Sequence, residues 1–113
     1  LVLPELKGRL DGIALRVPTP TGSVTDLNIL LQKTVTKEEI NDTFRKYAES
    51  SMKRILKVSD LPLVSSDCVG DPHSSILNLK STNVLGGNFV KILSYYDNEW
   101  GYSNRLVDLT LYI

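Results

Sequence analysis

One cysteine and one histidine stand among 113 residues, too few of either for the chemistry each most often carries. A single cysteine forms no internal disulfide and no multi-thiolate metal site, so a reducing compartment such as the cytoplasm is expected. A single histidine argues against a protein-only zinc site, and no metal is expected. Net charge is lacking as well. Thirteen Lys and Arg balance thirteen Asp and Glu, which removes the basic excess that a nucleic-acid or anionic-membrane partner requires. No apolar run is long enough to span a bilayer and the opening residues show no basic n-region, so neither a transmembrane span nor a signal peptide is expected. There are no repeats, no low-complexity stretch and no Ser/Gly linker that would divide the chain. Gly86-Gly87 stands alone before a strand-like run, so no glycine-rich phosphate loop is present. What remains is 42% hydrophobic and long enough to bury one core.

The two ends suggest a longer protein. Leu1-Val2-Leu3-Pro4 opens the chain without an initiator Met, and Leu109-Thr110-Leu111-Tyr112-Ile113 closes it without a helix stop signal. Both termini are read as truncations.

Between them, apolar periodicity assigns the elements. Ile13, Leu15 and Val17 alternate with Gly12, Ala14 and Arg16, the pattern of a strand over 12–17 that holds Arg16 above a surface of small residues. Pro18-Thr19-Pro20-Thr21-Gly22 breaks pairing. A second strand is predicted over 23–32, with Leu27, Ile29 and Leu31 on one face. Thr36-Lys37-Glu38-Glu39 has capping-box spacing and starts a helix whose apolar stripe is Ile40, Phe44, Tyr47 and Ala48. Leu61–Val64 and Ser74–Leu79 read as short strands around Gly70-Asp71-Pro72. Residues 88–96 are apolar on both faces, as in a central strand. Asp97 or Asn98 then caps a terminal helix with Leu106, Val107 and Leu109 inward. The fold class expected is α+β, a mainly antiparallel sheet covered on one side by helices.

Three groups of residues could carry chemistry. Cys68 and His73 lie five apart across a Gly-Asp-Pro turn, without any surrounding nucleophile motif, and read as a small buried hydrophobe and a turn histidine. Arg16 offers a planar fork that fits two phosphate oxygens, or it is a surface arginine paired with a carboxylate. Tyr96-Asp97-Asn98-Glu99-Trp100-Gly101-Tyr102 is the densest polar and aromatic cluster. There Asn98 could present carbonyl and amide to a carboxamide, and Tyr102 could stack on a planar ring; the alternatives are a helix cap and a core aromatic.

Leu15-Arg16-Val17-Pro18-Thr19-Pro20, Ser23-Val24-Thr25-Asp26-Leu27, Val64-Ser65-Ser66-Asp67 and Tyr95-Tyr96-Asp97-Asn98-Glu99-Trp100-Gly101-Tyr102-Ser103-Asn104-Arg105 together resemble phosphorylating glyceraldehyde-3-phosphate dehydrogenase, in order and over essentially the whole chain. Tyr95 stands where that family commonly has Trp. The resemblance implies that residues 1–113 are part of one C-terminal catalytic domain, with the dinucleotide-binding domain absent from the chain. It implies a glycolytic oxidoreductase that converts glyceraldehyde 3-phosphate, inorganic phosphate and NAD to 1,3-bisphosphoglycerate and NADH, with NADP not excluded. It further implies a cytoplasmic homotetramer whose catalytic-domain sheets meet between subunits. Arg16 matches the family's phosphate-binding arginine, Asn98 the asparagine that holds the nicotinamide carboxamide, and Tyr102 the tyrosine beside the nicotinamide. The catalytic Cys/His pair would lie upstream, so the segment alone is expected to be inactive. A competing reading is a non-catalytic α+β binding or assembly module that kept the fold.

Overall fold

The computed structural model describes residues 3–113, so the reading of the opening Leu1-Val2 lies outside the described residues. Among the described residues five strands form one sheet: β1 (Ser23–Leu30), β2 (Leu56–Ser59), β3 (Ser75–Asn78), β4 (Asn83–Leu85) and β5 (Phe89–Tyr96). Two helices, α1 (Lys37–Glu49) and α2 (Trp100–Tyr112), complete the α+β fold. The strand order is β1-β5-β3-β2, with β4 also paired to β5. All contacts of β5 are antiparallel, whereas β2 and β3 run parallel. The predicted central strand is therefore β5.

Register sorts the side chains. Leu27 pairs with Ile92 and Ile29 with Val90, Leu77 faces Ser94, and Val58 faces Leu77, so these residues share the sheet's inner face. Leu56, Leu77, Leu79, Val90 and Ile92 form the buried core, and Ile40, Phe44 and Ala48 of α1 pack against it. Tyr47, predicted on the same stripe, is instead exposed. Toward β1 the helix leaves an open apolar groove of about 270 Å³ lined by Ile29, Leu31, Val35 and Phe44. The start of α1 follows the spacing read from the sequence. The Thr36 hydroxyl accepts from the Glu39 N–H at 3.1 Å, and the Glu39 carboxylate accepts from the Thr36 N–H at 2.7 Å.

On the outer face Ile76 is buried, and the 3-10 turn Ser65–Cys68 packs against β5. The parallel pairing of β2 and β3 requires a crossover, which residues 60–74 supply. Leu61–Val64, predicted as a strand, is part of this connection and pairs with nothing. The turn from β4 into β5 explains the lone glycine pair. Gly86 (φ 58°) and Gly87 (φ 81°) both take the left-handed conformation in the three-residue connection 86–88, a conformation that glycine adopts without a Cβ penalty.

Two further expectations fail. Residues 12–17 form no strand, and Ile13, Leu15 and Val17 are exposed; alternation alone builds no strand without a neighbour to pair with, and none of the described strands lies alongside. In α2, Leu106, Val107 and Leu109 point to solvent rather than inward. This helix is held chiefly at its first turns. Arg105 donates to the Arg54 carbonyl at 2.9 Å, and Gly101 sits so close to His73 that an added Cβ would stand 3.0 Å from the His73 carbonyl oxygen. Among the described residues no helix is long and apolar enough to cross a membrane.

Arg54, in the connection from α1 to β2, has φ 70°, a left-handed conformation that is costly for a residue with a Cβ. Arg54→Gly keeps the carbonyl that Arg105 uses and is expected to stabilise the full-length protein by about 0.5–1 kcal/mol, read as a higher denaturant midpoint. An unchanged or lower midpoint would contradict the strain.

Candidate functional site

The polar cluster of the sequence lies where β5 hands over to α2, and its geometry is set by Asp97. This carboxylate is only 5% exposed. Its Oδ1 accepts from the Glu99 N–H at 3.0 Å and the Trp100 N–H at 2.9 Å, which caps the first turn of α2. Of the two predicted cap candidates, Asp97 fills the role. Its Oδ2 accepts from the Gly70 N–H at 2.8 Å, and the Thr21 hydroxyl reaches Oδ1 at 3.5 Å. The carboxyl is held below its ordinary range, first by the Gly70 N–H and then by the helix N–H groups.

Asn98 is exposed. Its Oδ1 accepts from the Gly22 N–H at 3.2 Å and from the Ser23 hydroxyl at 3.1 Å. Those contacts occupy the carbonyl lone pairs and leave the Nδ2 amide as the group a ligand can meet. Tyr102 lies four residues on, in the first turn of α2, with its side chain largely in solvent. The alternative of a core aromatic is thereby removed for Tyr102. The junction thus presents an exposed carboxamide side chain with an exposed phenol ring four residues on.

Arg16 is not on a strand. It is exposed in an irregular stretch and makes no hydrogen bond or ion pair among the described residues, so the carboxylate-paired alternative is not realised. The loop that follows it is tied to the junction at Thr21, Gly22 and Ser23, which are bonded to Asp97 and Asn98.

Cys68 and His73 are not brought together as a reactive pair. Cys68 is 2% exposed, and burial, assisted by Asp71 and Asp67, pushes its thiol up. The imidazole Nδ1 of His73 lies 2.6 Å from Asp71, whose other oxygen accepts from Lys57 Nζ at 2.7 Å. Burial pushes the Asp71 carboxyl up, but the bonds from Lys57 and His73 outweigh it and hold the carboxyl below its ordinary range. The sequence signalled Asp97 as a possible cap. Its bonds to Gly70 and Thr21, 27 and 76 residues away, had no local signal.

The fold is thus an α+β domain whose mixed sheet delivers its polar groups at a strand-to-helix junction. A family profile described as glyceraldehyde 3-phosphate dehydrogenase, C-terminal domain, matches residues 1–98. Glyceraldehyde-3-phosphate dehydrogenase 2 of Streptomyces avermitilis is 55% identical over 113 residues, covering 100% of this chain and 34% of the relative. The Mycobacterium leprae glyceraldehyde-3-phosphate dehydrogenase is 62% identical over 109 residues, 96% of this chain and 32% of the relative. A Streptomyces coelicolor relative of that name is 57% identical over all of this chain. The chain spans about a third of the length of these relatives. It belongs to the glyceraldehyde 3-phosphate dehydrogenase C-terminal domain family, a family of oxidoreductases.

Because the Asp97 and Asp71 carboxyls are depressed in the folded state, they stabilise the fold above the unfolded carboxylate value of about 4, and that contribution is lost as pH falls through their folded values. Between pH 7 and 3 the full-length protein is expected to lose more stability than its Asp97→Asn variant does. Parallel loss in urea titrations of both would contradict the assignment.

Proposed function

We propose that residues 1–113 are the C-terminal part of the catalytic domain of a phosphorylating glyceraldehyde-3-phosphate dehydrogenase, with the dinucleotide-binding domain and the Cys/His pair outside this chain. The reaction assigned to the whole protein takes glyceraldehyde 3-phosphate, inorganic phosphate and NAD, or NADP, to 1,3-bisphosphoglycerate and the reduced cofactor, in the cytoplasm. The observation that carries this reading is the bonding of Gly22 and Ser23 to Asn98, which draws the loop that follows Arg16 onto the junction that bears the outward amide.

Each residue then has one task. The nicotinamide, when bound, supplies the hydride acceptor. Asn98 donates from Nδ2 to the carboxamide and fixes which way the ring lies, and Tyr102 packs beside it. Arg16, which has no partner among the described residues, clamps a phosphate of the substrate or the attacking phosphate with two parallel N–H bonds. Binding at both ends holds the aldehyde carbon within reach of hydride transfer. With no nucleophile among these roles, the isolated segment is expected to be inactive.

In the full-length protein, Arg16→Leu is expected to lower kcat/KM for glyceraldehyde 3-phosphate or phosphate about 10- to 100-fold, the loss of one charge-assisted fork, while NAD affinity stays near normal. Unchanged kinetics for both substrates would remove Arg16 from the site. The reading also assigns a homotetramer, with the outer sheet face bearing Phe89, Leu93 and Tyr95 turned toward another subunit. Sedimentation at the mass of four chains is expected, and a monomer at micromolar concentration would contradict it.

A further inference from the structure

Asp97 stands apart from the residues assigned above because it faces no ligand. Its carboxylate is 5% exposed, and both oxygens are engaged by the chain itself. Oδ1 serves the Glu99 and Trp100 N–H groups and the Thr21 hydroxyl, and Oδ2 serves the Gly70 N–H. The donors belong to three separate segments: the loop before β1, the turn before β3, and the first turn of α2. The other residues of that first turn do not do this work. Glu99 makes no side-chain cap bond, and Ser103 returns its hydroxyl to the Glu99 carbonyl.

We propose that Asp97 is the positioning residue for the nicotinamide end of the site. By tying the start of α2 to the Gly70 turn and the Thr21 loop, it fixes the backbone from which Asn98 projects and sets the direction of Nδ2. The depressed carboxyl of Asp97 is consistent with a fixed anionic hub. The proposal rests on the reading that Asn98 meets the nicotinamide carboxamide.

The test compares NAD with ADP-ribose, which lacks the nicotinamide, as ligands of the full-length protein. Asp97→Ala is expected to weaken NAD about tenfold and to leave ADP-ribose binding unchanged. Because Asp97 acts through Asn98, the double variant Asp97→Ala/Asn98→Ala should be no weaker for NAD than Asn98→Ala alone. A core variant, Leu77→Ala, lowers stability without changing the NAD-to-ADP-ribose ratio, which separates positioning from general destabilisation. Equal weakening of both ligands by Asp97→Ala, or additive losses in the double variant, would overturn the proposal. If Asn98→Ala itself leaves the ratio unchanged, the underlying reading falls and the proposal with it. If Asn98→Ala changes the ratio and Asp97→Ala does not, the proposal alone falls. Should Asp97→Ala fail to fold, Asp97→Asn and Thr21→Val carry the same comparison. Each removes one of the hub's bonds and is expected to shift the ratio in the same direction, and an unchanged ratio in both overturns the proposal.

Discussion

A carboxylate enclosed by protein must be matched by donors, because an unpaired buried charge costs more than the fold can spare. At Asp97 the donors come from the backbone of Gly70, Glu99 and Trp100 and from the Thr21 hydroxyl. Satisfying that one charge obliges three segments far apart in sequence to meet at the end of β5. Asn98 then adds two bonds to the same loop. Removal of the charge would free the helix start from the Gly70 turn and leave the loop held at this point through Asn98 alone.

The sheet makes that meeting possible. β5 is paired on both edges, with eight register pairs to β1 and shorter ladders to β3 and β4, so its C-terminal end is held in place from both sides. Burial is uneven around it. The inner face is closed by α1 over Leu56, Leu77, Val90 and Ile92, while the groove beside β1 and the apolar residues of α2 remain open. Exposed pairs such as Asp26 with Lys91 add little stability in water. The rigidity of the junction therefore derives from backbone ladders and the buried hub rather than from surface ion pairs.

Much of this architecture was legible in the sequence, and the exceptions have physical causes. The strands β1 and β5 are legible within two residues of their bounds, β1 from the alternation of Leu27 and Ile29 with polar residues and β5 from an eight-residue run apolar on both faces. The capping box placed the start of α1, since both of its bonds are local. β2 and β4 escaped because strands of four and three residues hold too few turns of the pattern. Residues 12–17 and the inner face assigned to α2 failed for the opposite reason. Apolar periodicity reports which side chains would be buried against a partner, and the described chain supplies none there. For the site, Asn98 and Tyr102 were singled out by residue type and by resemblance, and both prove exposed as a ligand contact requires. The hub role of Asp97 was hidden because its decisive partners are 27 and 76 residues away.

The chemistry follows a division of labour. Groups that are fixed and buried, Asp97 foremost, hold the frame, while the proposed function gives the ligands to groups that are exposed and have no partner among the described residues: Arg16, the Asn98 amide and the Tyr102 ring. A crystal structure of the full-length protein with NAD bound tests this most directly. The account predicts Asn98 Nδ2 within hydrogen-bond distance of the carboxamide oxygen, with Asn98 Oδ1 still held by Gly22 and Ser23. A nicotinamide seated away from Asn98, or an Asn98 side chain turned from that loop, would contradict it.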